Sequence, residues 1–331
     1  MQRLLWVDRA TGQVSRRADS EVAQLLADPS GWLWLDVPEP DEQTAALLGG
    51  VFGAHPAAIA DVLERNHVPR LHVYGQTLFL VLHRPEAGLN GHVHYLELDQ
   101  FIGPNYLVTT HGPRNLEVPL ERLLGETDEL ADRMLSGRHV PSGPWAASHR
   151  VVTALAITQE RFVNRLAREV GALEKRVMAH AGDHDPQNFL EELFSTRHAL
   201  LTVRTMSSQA AEIYGRAVRL LGDGDREVHK VLRDNKDAYD RLSRITGSQL
   251  DFLTGVTEYY RARTDTKMTI AAERLAVIAA ITLPVTAISS VVGINFVASS
   301  VDRFVPLAVV VVVMLALSLV LLHWTKKQGW W

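Results

Sequence analysis

The stretch Leu283–Phe296, LPVTAISSVVGINF, decides how the rest of the chain is read. It ends a run without a charged side chain that begins at Leu275 and reaches Val292, and it closes on Gly293, Ile294 and Asn295. Only the segment GINFVASSVDRF (Gly293–Phe304) separates it from a second uncharged run, Phe304 to Leu322, whose VPLAVVVVVMLALSLVLL is apolar on every face. Each run is close to the ~20 residues that cross a hydrocarbon core of ~30 Å. A core helix of a water-soluble domain usually keeps a polar face. Two membrane spans are therefore expected, at 275–295 and 304–323, with an external loop at 296–303 and a tail at 324–331. Arg261, Arg263, Lys267 and Arg274 precede the first span and Lys326 and Lys327 follow the second, whereas the loop holds only Asp302 and Arg303, whose charges cancel. That bias places both termini in the cytoplasm. Trp324, Trp330 and Trp331 beside the lysines fit an interfacial anchor, so membrane lipid is an expected partner.

Composition limits what the remainder does. Of 331 residues, 47% are hydrophobic and 22% charged, which suits a water-soluble part with a membrane attachment better than a polytopic membrane protein. The 34 basic and 38 acidic residues leave a net charge of −4, without the basic footprint of nucleic-acid binding, so nucleic acid is not an expected partner. The absence of cysteine removes disulfides, thiolate zinc sites and cysteine nucleophiles together. The opening MQRLLWVDRATG reaches Asp8 too soon to hold an apolar signal core.

Residues 1–140 read as a cytoplasmic α/β domain. LLWV, WLWLDV, TLFLVLH, ELDQFI and YLVTTH are rich in aromatic and β-branched residues and are separated by Gly, Pro and Asn, the pattern of strands. Between them HPAAIADVLERN predicts a helix, with Pro56 in its first turn, Ile59, Val62 and Leu63 on one buried face, and His55 as a helix-entry residue. SGRHVPSGPW marks a boundary. Beyond it, Trp145–Ala181 and Pro186–Leu221 predict an antiparallel helical hairpin over 141–222, broken at GDHD and closed at GDGD. From there to Val292 only Pro284 interrupts the pattern, so one stalk helix at 223–274 is expected to run into the first span. At ~1.5 Å per residue such a helix is on the order of 100 Å long, which implies several copies side by side.

At this point the chain resembles a family. PVT (Pro284–Thr286) and GIN (Gly293–Asn295) are similar to the end of the first transmembrane helix in CorA-type divalent cation transporters, which closes with Pro-x-Thr and then Gly-Met-Asn. HPAAIADVLERNHVPRLHVYGQTLFLVLH resembles the family's N-terminal signature, FIGPNYLVTTH the strand pair after it, and DAYDRL (Asp237–Leu242) its stalk-helix motif. The resemblance implies a homopentameric funnel in the inner membrane, with five stalk helices continuing into five pore-lining helices and the second spans outside. It implies transport of Mg²⁺, with Co²⁺ and Ni²⁺ as passengers, and no catalytic cofactor. Ile294 departs from the usual methionine, and variant tripeptides also occur in the zinc-transporting ZntB branch.

The residues carry a pore reading beside the resemblance. Two spans cannot enclose a channel, so a conducting hairpin must oligomerise. Helical period from Thr286 places Thr282 or Leu283, Ala279, Leu275, Ala272 and Met268 on one mostly apolar face. Leu275 and Leu283 there either gate by dewetting or pack helix on helix. Asn295, just past a glycine able to end a helix, either caps that helix or turns a neutral oxygen to the pore mouth. A neutral ring suits Mg²⁺, which gives up its water reluctantly. His92 and His94 in HVHY, and His180, Asp183, His184 and Asp185 in HAGDHD, are weaker metal candidates and are read as solvated. By the resemblance, Glu258 matches an acidic stalk residue that binds a regulatory dication between subunits, making Mg²⁺ a regulatory ligand as well as the substrate. An enzyme is not expected, since no Gly-rich phosphate loop, nucleophile elbow or metalloprotease motif is found. A proton-coupled exporter usually carries acidic or histidine residues inside its spans, and both spans lack them.

Overall fold

The computed structural model describes residues 2–179, 186–221, 225–296 and 304–327. The HAGDHD cluster, most of GDGD, residues 297–303 and the last four residues lie outside them. Among the described residues there are seven strands: β1 (Arg3–Asp8), β2 (Val14–Arg17), β3 (Gly31–Val37), β4 (Arg70–Tyr74), β5 (Thr77–Ala87), β6 (Val93–Ile102) and β7 (Tyr106–Thr110). The α-helices are α1 (Val22–Ala27), α2 (Glu42–Gly50), α3 (Pro56–Leu63), α4 (Leu120–Leu123), α5 (Gly125–Leu135), α6 (Pro144–Met178), α7 (Pro186–Leu221), α8 (Arg226–Phe296) and α9 (Phe304–Lys327). The chain divides into two compact units, one through Thr254 and one from Gly255 onward.

In the first unit the strands form one sheet in the order β2-β1-β3-β7-β6-β5-β4. Among the described strands only β3 and β7 pair in parallel, Leu33 against Tyr106 through Val37 against Thr110. Their WLWLDV and YLVTT are buried on both faces, which is why they carry little polar alternation. One face of the sheet packs Trp32, Trp34, Leu80, Leu98 and Leu107 against α5, α6, α7 and the first turns of α8, where Tyr214 stacks on Tyr239 at 6.0 Å between ring centroids. The other face packs Leu33, Leu35, Phe79, Val81, Phe101 and Val108 against α1, α2 and α3. Polar ties fix α6 on the sheet: Ser148 donates to Gln100 at 2.5 Å, and Gln159 donates to the His83 carbonyl at 2.7 Å.

The helix-entry reading of His55 holds. Its Nδ1 accepts from the Ala57 amide at 3.2 Å, Pro56 occupies the first turn, and the imidazole stacks on Tyr74 at 4.4 Å. Gly75, with φ +61, turns β4 back into β5, a conformation that disfavours side chains. Strands β2 and β4, absent from the sequence reading, are the two sheet edges. Their VSRR and RLHVY are largely exposed, so the apolar alternation that marks a strand is weak.

In the second unit the α8 segment and α9 bury little. Val277 is buried, and Ile281, Pro284, Val285 and Ile288 are half-buried, one stripe at helical spacing. On α9 the matching stripe is Val310, Met314, Leu317 and Leu321, ending at buried Thr325. Ser289 Oγ lies 3.7 Å from Met314 Sδ between the two helices. Helix α9 continues to Lys327, so Trp324–Lys327, read from sequence as tail, are its last turn. Both helices are long and apolar enough to cross a membrane.

Candidate ion pathway

Seven residues were placed by period on one face: Met268, Ala272, Leu275, Ala279, Thr282, Leu283 and Thr286. All seven are exposed in the single chain, with Met268, Leu275 and Leu283 at 66–67%. At ~100° per residue, six of them lie within about 40° of one direction and Leu283 about 60° from it. That direction is roughly opposite the Val277–Ile288 stripe that faces α9. The candidate lining is thus the face of α8 that its own hairpin leaves bare.

The polar groups on this face are conditioned by the helix. The Thr282 hydroxyl donates to the Ile278 carbonyl at 2.9 Å, and Thr286 donates to the Thr282 carbonyl at 2.8 Å. Each hydroxyl has thereby committed its only proton to the backbone, so its oxygen offers lone pairs alone. Waters bound to a cation point hydrogens outward and suit such acceptors, whereas an anion finds no donor. Between them Pro284 lacks an amide hydrogen, so the Ala280 carbonyl loses its helical partner within the span.

The helix does not break at Gly293. Residues Gly293, Ile294 and Asn295 are helical, and α8 ends only at Phe296, so the expectation that the glycine closes the helix is corrected. Helical backbone is open to glycine as to any residue, and the i−4 bonding of the preceding turns continues through it. Where the Asn295 side chain points lies outside the described residues.

Elsewhere, Glu258 is exposed on α8. Among the described residues no group of three His, Cys, Asp or Glu could hold a metal ion. His92 and His94 do come together, at 4.7 Å between ring centroids, but His94 is spent on Glu117 at 3.3 Å and Asn115 at 3.2 Å. His180, Asp183, His184 and Asp185 lie outside the described residues.

The strand that holds ELDQFI also carries two acids that no sequence motif singles out. Glu97 and Asp99 stand on the sheet face toward α3. Glu97 accepts from the Asn66 amide at 2.8 Å and from Asn66 Nδ2 at 2.9 Å, and Thr110 donates to Asp99 at 2.9 Å. The signal was available: two carboxyls two residues apart share one face of a strand with Val93, Tyr95 and Phe101.

The sequence profile described as "CorA-like Mg2+ transporter protein" matches residues 29–327. The chain belongs to this family. It is 26% identical over 313 residues to "Putative metal ion transporter YfjQ" of Bacillus subtilis (strain 168), covering 90% of each chain. It is 21% identical over 326 residues to the cobalt/magnesium transport protein CorA of Thermotoga maritima, covering 95% of this chain and 88% of that one. The CorA magnesium transporter of Methanocaldococcus jannaschii shares its fold, with a TM-score of 0.80 at 14% identity over 100% of this chain and 99% of the other. CorA proteins are membrane transporters of metal ions, and α8 and α9 supply the two spans.

Proposed function

We propose that the protein carries hydrated divalent cations, Mg²⁺ foremost and Co²⁺ or Ni²⁺ with it, into the cytoplasm through a pore lined by the first spans of a homopentamer. The observation that carries this reading is the bare face of α8 opposite α9, uncharged from Leu275 to Thr286, whose hydroxyls at 282 and 286 present oxygen acceptors only. A wall of neutral acceptors hydrogen-bonds an intact hydration shell, which costs Mg²⁺ less than shedding it. Zinc selection is better served by imidazole or thiolate, and neither occurs on this face. Asn295, in the last turn of α8, belongs with Gly293 and Ile294 to the outer pore mouth, where its neutral oxygen meets the ion's hydration shell. Leu275 and Leu283 form apolar rings that close the path by dewetting. With both termini in the cytoplasm of the inner membrane, an inside-negative potential drives entry, at ~2.3 kcal/mol per charge per 100 mV. Intracellular Mg²⁺ closes the pore by bridging copies, and exposed Glu258 contributes a ligand that only a second copy completes.

The test is flux into liposomes holding the purified full-length protein. Mg²⁺ entry that rises with inside-negative potential, is blocked by cobalt hexaammine and is lost in Asn295→Ala is the expected result. Zn²⁺ flux indifferent to the complex, without Mg²⁺ flux, overturns the assignment in favour of the zinc branch.

A further inference from the structure

A cleft of about 490 Å³ lies between α5 and the outer face of α6, far in sequence from the spans. Its size falls within the ~300–1,000 Å³ typical of small-molecule sites. The floor is a satisfied polar network: buried Arg84 donates to Glu126 at 3.1 Å, and Thr158 donates to the other Glu126 oxygen at 2.8 Å. On the α5 wall Arg133 is paired with Glu129 at 2.6 Å. The α6 wall differs. Arg150 and Arg161 sit on it eleven residues apart, which at ~100° and ~1.5 Å per residue puts them on one helix face ~16 Å apart. Both are exposed lining residues, and neither makes a hydrogen bond or ion pair with any described residue. Between them Ile157, 43% exposed, forms an apolar patch with Ala154.

Over the whole lining, five arginines face three glutamates, and the excess resides in the two unpaired arginines. The cleft's electrostatics register that excess. His139 at its edge has its pKa lowered, first by burial and then by Arg150 and Arg133, so a further positive charge is disfavoured there.

We infer that this cleft binds a nucleotide-sized organic phosphate, its phosphate groups held by Arg150 and Arg161 and its apolar ring laid on Ile157. Guanidinium matches phosphate in a planar, two-donor geometry that an ammonium cannot copy, and the two forks are already free. A bare inorganic anion leaves Ile157 uncovered, whereas a purely apolar ligand leaves the excess charge unmatched. Free nucleotides bind Mg²⁺ tightly, so such a site reports on the same ion from its ligand's side. The cleft's lining shares no residue with the candidate ion pathway, and the inference does not depend on it.

The test is calorimetric titration of the full-length protein in detergent with Mg²⁺-free ATP, inorganic triphosphate and AMP. Saturable ATP binding is expected, weakened about tenfold or more by Arg150→Ala and by Arg161→Ala, the loss of one charge-assisted contact each. Ile157→Ser is expected to weaken ATP while leaving triphosphate unchanged. Because all three side chains are exposed, unaltered far-UV circular dichroism is expected to accompany each loss. No saturable binding at millimolar ATP, or ATP binding that both arginine substitutions leave intact, overturns the proposal. Triphosphate that binds as tightly as ATP overturns it too, since the apolar half of the site then does nothing.

Discussion

Asp99 and Glu97 share a dry pocket in which two full negative charges are costly. Burial pushes Asp99 well above the ordinary carboxylate range, Glu97 adds to that, and the Thr110 hydrogen bond opposes it only in part. Burial likewise raises Glu97 against the bonds from Asn66. An acid whose folded pKa is raised holds its proton more tightly folded than unfolded, so stability falls as pH climbs from the usual carboxylate range through the raised values. His83 works from the other side. Burial lowers its pKa to about 4, so the neutral ring favours folding above the unfolded value near 6.5, and that stability is lost as pH drops toward 4. Asp99→Asn keeps a hydrogen-bonding group and removes the charge, so its melting temperature is expected to exceed the parent's at about pH 9 and to lose the advantage at about pH 5. Thermal unfolding of both proteins in detergent across that range checks this, and parallel curves refute the cost assigned to the buried charge. On the other face, burial pushes Asp36 up, but His111, Thr109 and Arg3 outweigh it and hold it low. The two buried carboxyls therefore differ in charge because one pocket supplies donors and the other a second acid.

Helix α8 carries the candidate pathway on one face and its hairpin contact on the other. Thr286→Val keeps the shape and deletes the acceptor oxygen. Mg²⁺ flux in liposomes is expected to fall about tenfold or more, the factor that ~1.4 kcal/mol of lost hydrogen bonding produces in a barrier, with Thr286→Ser restoring it. Equal flux in the valine variant removes the hydroxyls from the mechanism. Much of this element was legible in the sequence, because charge-free runs and helical period are properties of the chain itself. Thr282 and Thr286 fell on one face by counting alone. That their protons are taken by Ile278 and Thr282 was not legible, since rotamer choice depends on the backbone. Edge strands β2 and β4 escaped for a related reason: with one neighbour each and exposed side chains, they carry little apolar signal. The unpaired arginines of the cleft were invisible for the opposite reason, because a missing partner is a fact of three dimensions.

At the scale of the molecule, the exposed apolar side chains of α8 ask for company. Ile245, Phe252 and Tyr259 recur every seven residues and are 36%, 44% and 51% exposed in one chain. Such a stripe is the seam on which helices associate. Native mass spectrometry of the full-length protein in detergent is expected to show five chains, with Phe252→Asp shifting the population toward smaller species. A stable monomer or dimer in the parent protein refutes the pentamer. The order of elements also dictates how the protein is made. The sheet's larger core takes Leu232, Tyr239 and Leu242 from the start of α8 as well as strands from the first hundred residues. At a synthesis rate of ~5–20 residues per second, the last residue of that unit is joined only seconds before Leu275, with Gly255–Arg274 between them. Translation therefore delivers every side chain of that core before the first apolar span, and a chain stopped before Leu232 lacks Leu232, Tyr239 and Leu242 from it.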